Sequence, residues 1–459
     1  MPLAPGPHVQ VSFYGAIDTV TGSRYLVEHE SSRVLVDSGL FQGPKKLRER
    51  NWAELPFDLA TLDAVVLTHA HIDHAGYLPR LHKLGYQGPV YCTPGTRDLL
   101  QLLLPDAGHL QEEEAEHANR WGYSKHHPAL PLYTRAEAEQ CLALLQPVEF
   151  HAPFEPAAGF TARYSRAGHI IGSACVALAA GGTSITFSGD VGRQVDPIMK
   201  PPEPLAATEH LVVESTYGDR RHSSDDIAAA LARVITETVE RGGVIVVPAF
   251  AVGRAQHLLH LLATLRTAGR IPSCPIYLDS PMAIDATNLF CGHVGEHALD
   301  EAQCMAMCRV AKYSQTADDS KAIDRSGGPM IVISASGMCT GGRVLHHLRR
   351  FLPDERSTIL FVGYQAAGTR GRSLVDGAAE LKLLGQYVPV RAKIVQLDGL
   401  SAHGDYAELI AWLRQSQLAP RRVFVTHGEP AAADAFRRRL AETFGWDVRV
   451  PDAGETVRL

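Results

Sequence analysis

A chain of 459 residues is too long for one ordinary hydrophobic core, so two domains are expected. Its 45% hydrophobic and 20% charged residues are the balance of a globular protein in water, which excludes a disordered or fibrous chain. A net charge of −6 excludes a general nucleic-acid coat, though not an enzyme with a locally positive cleft.

The first seven residues have no basic start and no apolar segment, so they do not read as a secretory signal. No apolar run has the length of a membrane span. The eight cysteines include no C-x-x-C pair, and Cys304 and Cys308 sit one helical turn apart. Reduced, mostly buried thiols in a cytoplasmic protein are the expected state.

Strand-like runs open the chain at residues 9–13, 24–27, 33–36, 64–67 and 90–91. Helical patterns cover 96–104 and 135–145, and further strands 183–187 and 210–213, with a Pro-rich loop at 197–204 between the last two. From residue 217 the texture changes. A long amphipathic helix is expected over 225–241. Unbroken apolar strands follow at 244–247, 276–278 and 330–333, with helices between them. Such strands indicate a parallel sheet covered on both faces. Strands at 393–397 and 422–425 return to the first texture, with polar groups again following the strand ends. The expected organisation is a first domain of 1–216, completed by 393–459, with 217–392 inserted as a capping α/β domain.

One run stands out. His69, His71, Asp73 and His74 fall within six residues, directly after the apolar stretch 64–67. Side chains alternate in extended chain, so His69 and His71 point the same way, and a turn swings Asp73 and His74 toward a neighbouring point. One tight turn can thus serve two metal ions. Neutral imidazole and carboxylate are the donors that borderline cations such as zinc prefer.

The run resembles the H-x-H-x-D-H motif of the metallo-β-lactamase superfamily. Asp37 in Val36-Asp-Ser-Gly39 is similar to its first motif, Gly168-His169 to its third and Ser188-Gly-Asp190 to its fourth. Glu214 in Val-Glu-Ser-Thr-Tyr-Gly, His403 in Ser-Ala-His-Gly-Asp and His427 in Thr-His-Gly-Glu resemble motifs A, B and C of the β-CASP branch, whose members process nucleic acids. Residues 248–250, 279–282, 334–338 and 363–365 are similar to segments of that branch's inserted domain. The nearest likeness is to short bacterial and archaeal ribonucleases similar to the endonuclease subunit of the cleavage and polyadenylation factor. Some relatives carry RNA-binding KH domains before the nuclease or an added C-terminal domain. This sequence opens on the nuclease pattern and stops soon after His427, so neither tethering by such domains nor that mode of assembly is expected.

The resemblance implies an αββα sandwich interrupted by the inserted cap. It also implies a zinc-dependent ribonuclease, an endonuclease with scope for 5′ exonuclease activity. One Zn2+ would take His69, His71 and His169, the other Asp73, His74 and His427, with Asp190 bridging and Asp37 bracing the metal loop. Two metals about 3.5–4 Å apart acidify a water, neutralise phosphoryl charge and orient attack. His403 is the candidate proton donor, oriented by Glu214. Ser336, Arg370, Arg372 and Ser401 are candidate phosphate contacts, the alternative for the two Arg positions being an ordinary turn. Single-stranded RNA is the expected partner, with no membrane and a homodimer as the candidate assembly. The competing readings are a single-stranded DNA nuclease, a small-ester metallohydrolase on the same core, and a noncatalytic RNA-binding subunit. The His427 position favours RNA, and the full set of seven metal ligands disfavours the noncatalytic reading.

Overall fold

The computed structural model describes residues 8–459 apart from 123, 224, 225, 364, 367 and 398. The N-terminal seven residues, Asp225 at the head of the expected helix and Tyr364 in segment 363–365 therefore lie outside the described residues. The chain forms two compact units. The first comprises 1–196, 201–221 and 403–459, and the second 197–200 and 222–402.

Among the described residues, the first unit holds two seven-stranded sheets. In one, Gln10–Phe13, Tyr25–His29 and Ser32–Val36 run antiparallel, and Ala64–Val66, Val90–Cys92 and Leu145–Pro147 continue in parallel; Thr456–Arg458 closes the edge beside Gln10–Phe13. In the other, Phe160–Arg166, Ala174–Ala180 and Thr183–Phe187 are antiparallel, and His210–Glu214 and Arg422–Thr426 add in parallel.

The inner faces share one core. Val11, Phe13, Tyr25, Val27 and Val36 from the first sheet join Tyr164, Val176, Leu178, Phe187 and Phe424 from the second. Phe13 and Phe424 pack with ring centroids 5.0 Å apart, and Tyr25 and Phe187 at 5.4 Å. Fully burying each such side chain is worth about 1.5–3 kcal/mol, so the sheets are held mainly by this alternation of inward apolar residues. Helices Tyr406–Gln415 and Pro430–Phe444 cover the outer face of the second sheet through Leu409, Trp412, Leu413, Phe436 and Leu440.

The second unit is built on a six-stranded sheet whose pairings are all parallel: Lys312–Tyr313, Ile276–Leu278, Met330–Ser334, Val244–Pro248, Thr358–Phe361 and Lys393–Gln396, in spatial order. Val244–Pro248 and Met330–Ser334 are buried at every position, as strands covered on both faces must be.

Four expectations need correction. Strand Lys393–Gln396 pairs with Thr358–Phe361, so the second unit extends through Ala402 and the return to the first comes at His403, not 393. Its other boundary falls after Arg221 rather than 216, and residues 197–200 of the Pro-rich loop join the second unit, where Met199 bridges to His297. The helix expected over 135–145 ends at Cys141, because Leu145–Pro147 pairs with Val90–Cys92 as a sheet edge. The helix expected over 96–104 runs from Pro94 to Trp121.

Candidate metal centre

The strand Ala64–Val66 ends in extended chain, and a one-turn helix, Ile72–Ala75, follows. Its carbonyls are held from outside: Ser23 N–H donates to Asp73 O, Ser38 N–H to His74 O and Leu40 N–H to Ile72 O. That close approach requires glycine at 39, where a Cβ would lie 1.7 Å from the Asp73 carbonyl oxygen. The remaining groups arrive at the ends of other elements. His169 follows Gly168 in a turn pinned by Ser173 Oγ, which accepts from His169 N–H at 2.9 Å. Asp190 follows strand Thr183–Phe187, and His427 follows Arg422–Thr426.

Two donor sets result, with their ligand atoms within 4.8 Å of one another: His69, His71, His169 and Asp190 in one, Asp73, His74 and His427 in the other. His69 Nε2 lies 3.1 Å from His71 Nδ1, and His169 Nε2 lies 3.2 Å from it. His74 Nε2 lies 3.0 Å from His427 Nε2, which is 3.5 Å from Asp73 Oδ2. Asp190 faces both sets, with Oδ2 3.4 Å from His69 Nε2 and Oδ1 3.2 Å from His74 Nε2. Nitrogens about 2.0–2.1 Å from a shared tetrahedral cation stand roughly 3.4 Å apart, so these separations suit a metal.

The hydrogen bonds behind the rings decide which nitrogens are free. His74 Nδ1 lies 2.7 Å from Asp37 Oδ2, an acceptor only, so Nδ1 carries the proton. Thr68 Oγ–H donates to Asp37 Oδ2 at 2.9 Å and can therefore only accept from His69 Nδ1, 3.1 Å away. Thr216 Oγ–H donates to Glu214 Oε2 at 2.5 Å and likewise accepts from His427 Nδ1 at 3.2 Å. In all three rings Nε2 is the nitrogen that faces the centre.

Asp190 Oδ1 is buried with no hydrogen-bond partner among the described residues. Buried imidazole nitrogens thus converge on a buried carboxylate, an arrangement that a bound cation relieves. The donors fit a metal.

The electrostatics agree. Burial pushes His69 down to about 3 and His71 to about 4, and it pushes His169 well below its ordinary value, so these rings are neutral donors near pH 7. Burial would raise the Asp73 carboxyl, but the His427 hydrogen bond and the nearby His74 hold it below its usual range. Burial would likewise raise Asp190, and His427, His74 and His69 outweigh it. Burial would lower His74, whereas Asp190 and Asp37 raise it well above the ordinary value. A cation in place of the proton would satisfy those same carboxylates.

His403 sits beside this centre, its ring centroid 4.4 Å from that of His169 and its side chain 17% exposed. Its Nδ1 lies 3.2 Å from Oε1 of the buried Glu214, which also accepts Val191 N–H at 2.6 Å. The candidate phosphate contacts belong to the second unit. Ser336 Oγ bonds Thr340 Oγ1, Arg372 pairs with Asp376, and Ser401 is buried. Arg370 donates to the carbonyls of Lys382, Cys339 and Thr340, so it braces loops. Sequence reading missed Thr68 and Thr216. Both stand beside motif residues in sequence, but that neighbourhood does not reveal which ring each hydroxyl meets. Among the described residues, no helix is long and apolar enough to cross a membrane.

Comparison with known proteins agrees with this geometry. The model of the metallo-beta-lactamase superfamily matches residues 18–227, that of the Beta-Casp domain 255–374, and that of the Zn-dependent metallo-hydrolase RNA specificity domain 387–451. Ribonuclease TTHA0252 of Thermus thermophilus is 35% identical over 97% of this chain and 98% of its own. The transcription termination factor FttA of Methanosarcina mazei is 30% identical over 98% of this chain and 72% of its own. An RNase J-like protein of Methanocaldococcus jannaschii is 30% identical over 97% and 99%. A crystal structure of a protein of unknown function from Enterococcus faecalis shares the fold, at TM-score 0.54 and 14% identity over 98% of this chain and 100% of that one. The two donor sets therefore lie in a chain that belongs to the metallo-beta-lactamase superfamily, in the branch that carries a Beta-Casp domain.

Proposed function

We propose that this protein is a two-zinc ribonuclease that hydrolyses phosphodiesters of single-stranded RNA to 5′-phosphate and 3′-hydroxyl ends. The observation that carries the reading is the pair of adjacent donor sets, with Asp190 near both, since phosphodiester hydrolysis draws on two adjacent dications. The names of the relatives, ribonuclease and RNase J-like protein, support RNA as the substrate.

His69, His71 and His169 would hold one ion and Asp73, His74 and His427 the other, with Asp190 between them. When bound, the ions supply Lewis acidity and charge neutralisation at the phosphoryl group. The chain does the rest. Asp37 and Thr68 fix the rings of His74 and His69. Glu214 accepts the Nδ1 proton of His403, which leaves Nε2 as the atom that delivers a proton to the leaving 3′ oxygen. In the second unit, Ser336, Arg372 and Ser401 are the proposed phosphate contacts, with Arg370 bracing the loop around Thr340. A cytoplasmic location and a homodimer complete the proposal.

The test is cleavage of end-labelled single-stranded RNA and matching DNA by wild type, Asp73→Ala and His403→Ala, with product ends mapped. RNA cleavage by wild type that both variants lose supports the reading. Preference for DNA overturns the substrate, and equal cleavage by Asp73→Ala overturns the metal role.

A further inference from the structure

Three of the five thiols in the second unit, Cys291, Cys304 and Cys308, lie close together on two helices, outside the two metal-donor sets. Helix Pro281–Gly292 ends with Cys291 in its last turn, and helix Glu301–Arg309 ends with Cys308 in its own. Their Sγ atoms are 3.4 Å apart, and both side chains are partly accessible. Cys304, one turn before Cys308 on the same helix, also lies within hydrogen-bonding reach of Cys291. The other five cysteines, Cys92, Cys141, Cys175, Cys274 and Cys339, are buried and free. Burial pushes Cys92, Cys141 and Cys339 up to about 12, which makes them inert.

We propose that Cys291 and Cys308 are a peroxide-responsive dithiol that closes to an intramolecular disulfide joining the two helices. A disulfide needs the sulfurs about 2.05 Å apart, so the present pair must close by about 1.4 Å. Side-chain rotation at two helix ends, where backbone restraint is weakest, can supply that movement. Either thiol can donate across the 3.4 Å contact, and this hydrogen bond lowers Cys308 and raises Cys291. In the proposed scheme Cys308 is the attacking thiolate and Cys291 the proton-bearing partner.

The chemistry balances with hydrogen peroxide as oxidant. Cys308 sulfur attacks one peroxide oxygen; the O–O bond breaks, an S–O bond forms, and the departing hydroxide takes from solvent the proton that Cys308 released on ionising, to leave as water. Cys291 then attacks the sulfenic sulfur. The S–S bond forms, the S–O bond breaks, and the leaving hydroxide takes the Cys291 proton as a second water. One peroxide is reduced and two thiols are oxidised.

The experiment is peptide mapping of the full-length protein after hydrogen peroxide treatment and alkylation, without reductant. A Cys291–Cys308 linked peptide, lighter than its two reduced halves by two hydrogens and accounting for most Cys291 recovered, is expected. Cys304→Ser should leave that link in place. Full alkylation of Cys291 and Cys308 under peroxide that oxidises an added free thiol would overturn the proposal. So would linkage to any other cysteine, or loss of the link in a Cys304→Ser protein whose circular dichroism is native.

Discussion

Oε1 of Glu214 lies 3.2 Å from Nδ1 of His403, although 188 residues separate the two and the second unit is threaded between them. Glu214 is fully buried and its other oxygen accepts Thr216 Oγ–H, so its orientation is fixed. A carboxylate so restrained holds the imidazole with one nitrogen turned away from it. If His403 is the proton donor, His403→Ala lowers kcat by about 10²- to 10⁴-fold, the range for a general acid. Glu214→Gln gives a smaller loss. Metal content stays at the wild-type level in His403→Ala, which single-turnover kinetics and elemental analysis on one preparation would establish.

Asp37 is the second lever. It holds His74 directly and His69 through Thr68. Asp37→Asn keeps the shape but puts a donor where the His74 proton sits. Metal affinity should fall about 10- to 100-fold, as for other carboxylates behind ligand histidines. Competition against a zinc chelator reads this directly, and unchanged affinity counts against Asp37 as the brace.

Gly39→Ala tests the backbone contact that positions the one-turn helix Ile72–Ala75. The added methyl would meet the Asp73 carbonyl at 1.7 Å, so the loop must move. Overpacking of this kind costs about 1–3 kcal/mol. Denaturant melts should show that loss together with weaker metal binding. A stable variant that binds metal normally would mean that the loop tolerates displacement.

In the second unit, His347 lies between Asp279 at 2.6 Å and Asp324 at 2.7 Å. Burial alone would lower it, but the hydrogen bonds to the two carboxylates raise it to about 9. Its stabilising contribution is therefore complete below its unfolded value of about 6.5 and is lost as pH rises through 9. The second unit's melting temperature should decline over that window. His347→Gln should flatten the decline and cost about 3–5 kcal/mol, the penalty for removing one member of a buried pair. Wild type and variant with parallel pH profiles would contradict the assignment.

Much of the site was legible because its chemistry is local in sequence. His69, His71, Asp73 and His74 fall on a strand end and one helical turn, so spacing alone separates them into two pairs. Five strands of the first sheet were legible from apolar runs, whereas Leu145–Pro147 was read as the end of a helix and Thr456–Arg458 was not read. Strand Phe160–Arg166 was missed although Phe160, Ala162 and Tyr164 alternate with exposed neighbours, a period-two signal that was present to be read. The partner of Lys393–Gln396 was not legible. A lone Lys-Ile-Val-Gln run carries no information about which sheet it joins, because parallel pairing is settled by distant residues. Thr68 and Thr216 escaped for a related reason: a hydroxyl that sets a histidine tautomer is recognised only when three side chains meet in space.

The central claim is that seven side chains enclose two cations. Diffraction from crystals of the zinc-replete protein, collected on both sides of the zinc edge, tests it most directly. The account predicts two anomalous peaks, one among His69, His71 and His169 and one among Asp73, His74 and His427, each within bonding distance of Asp190. No peak at these donors, or zinc bound only elsewhere, would contradict it.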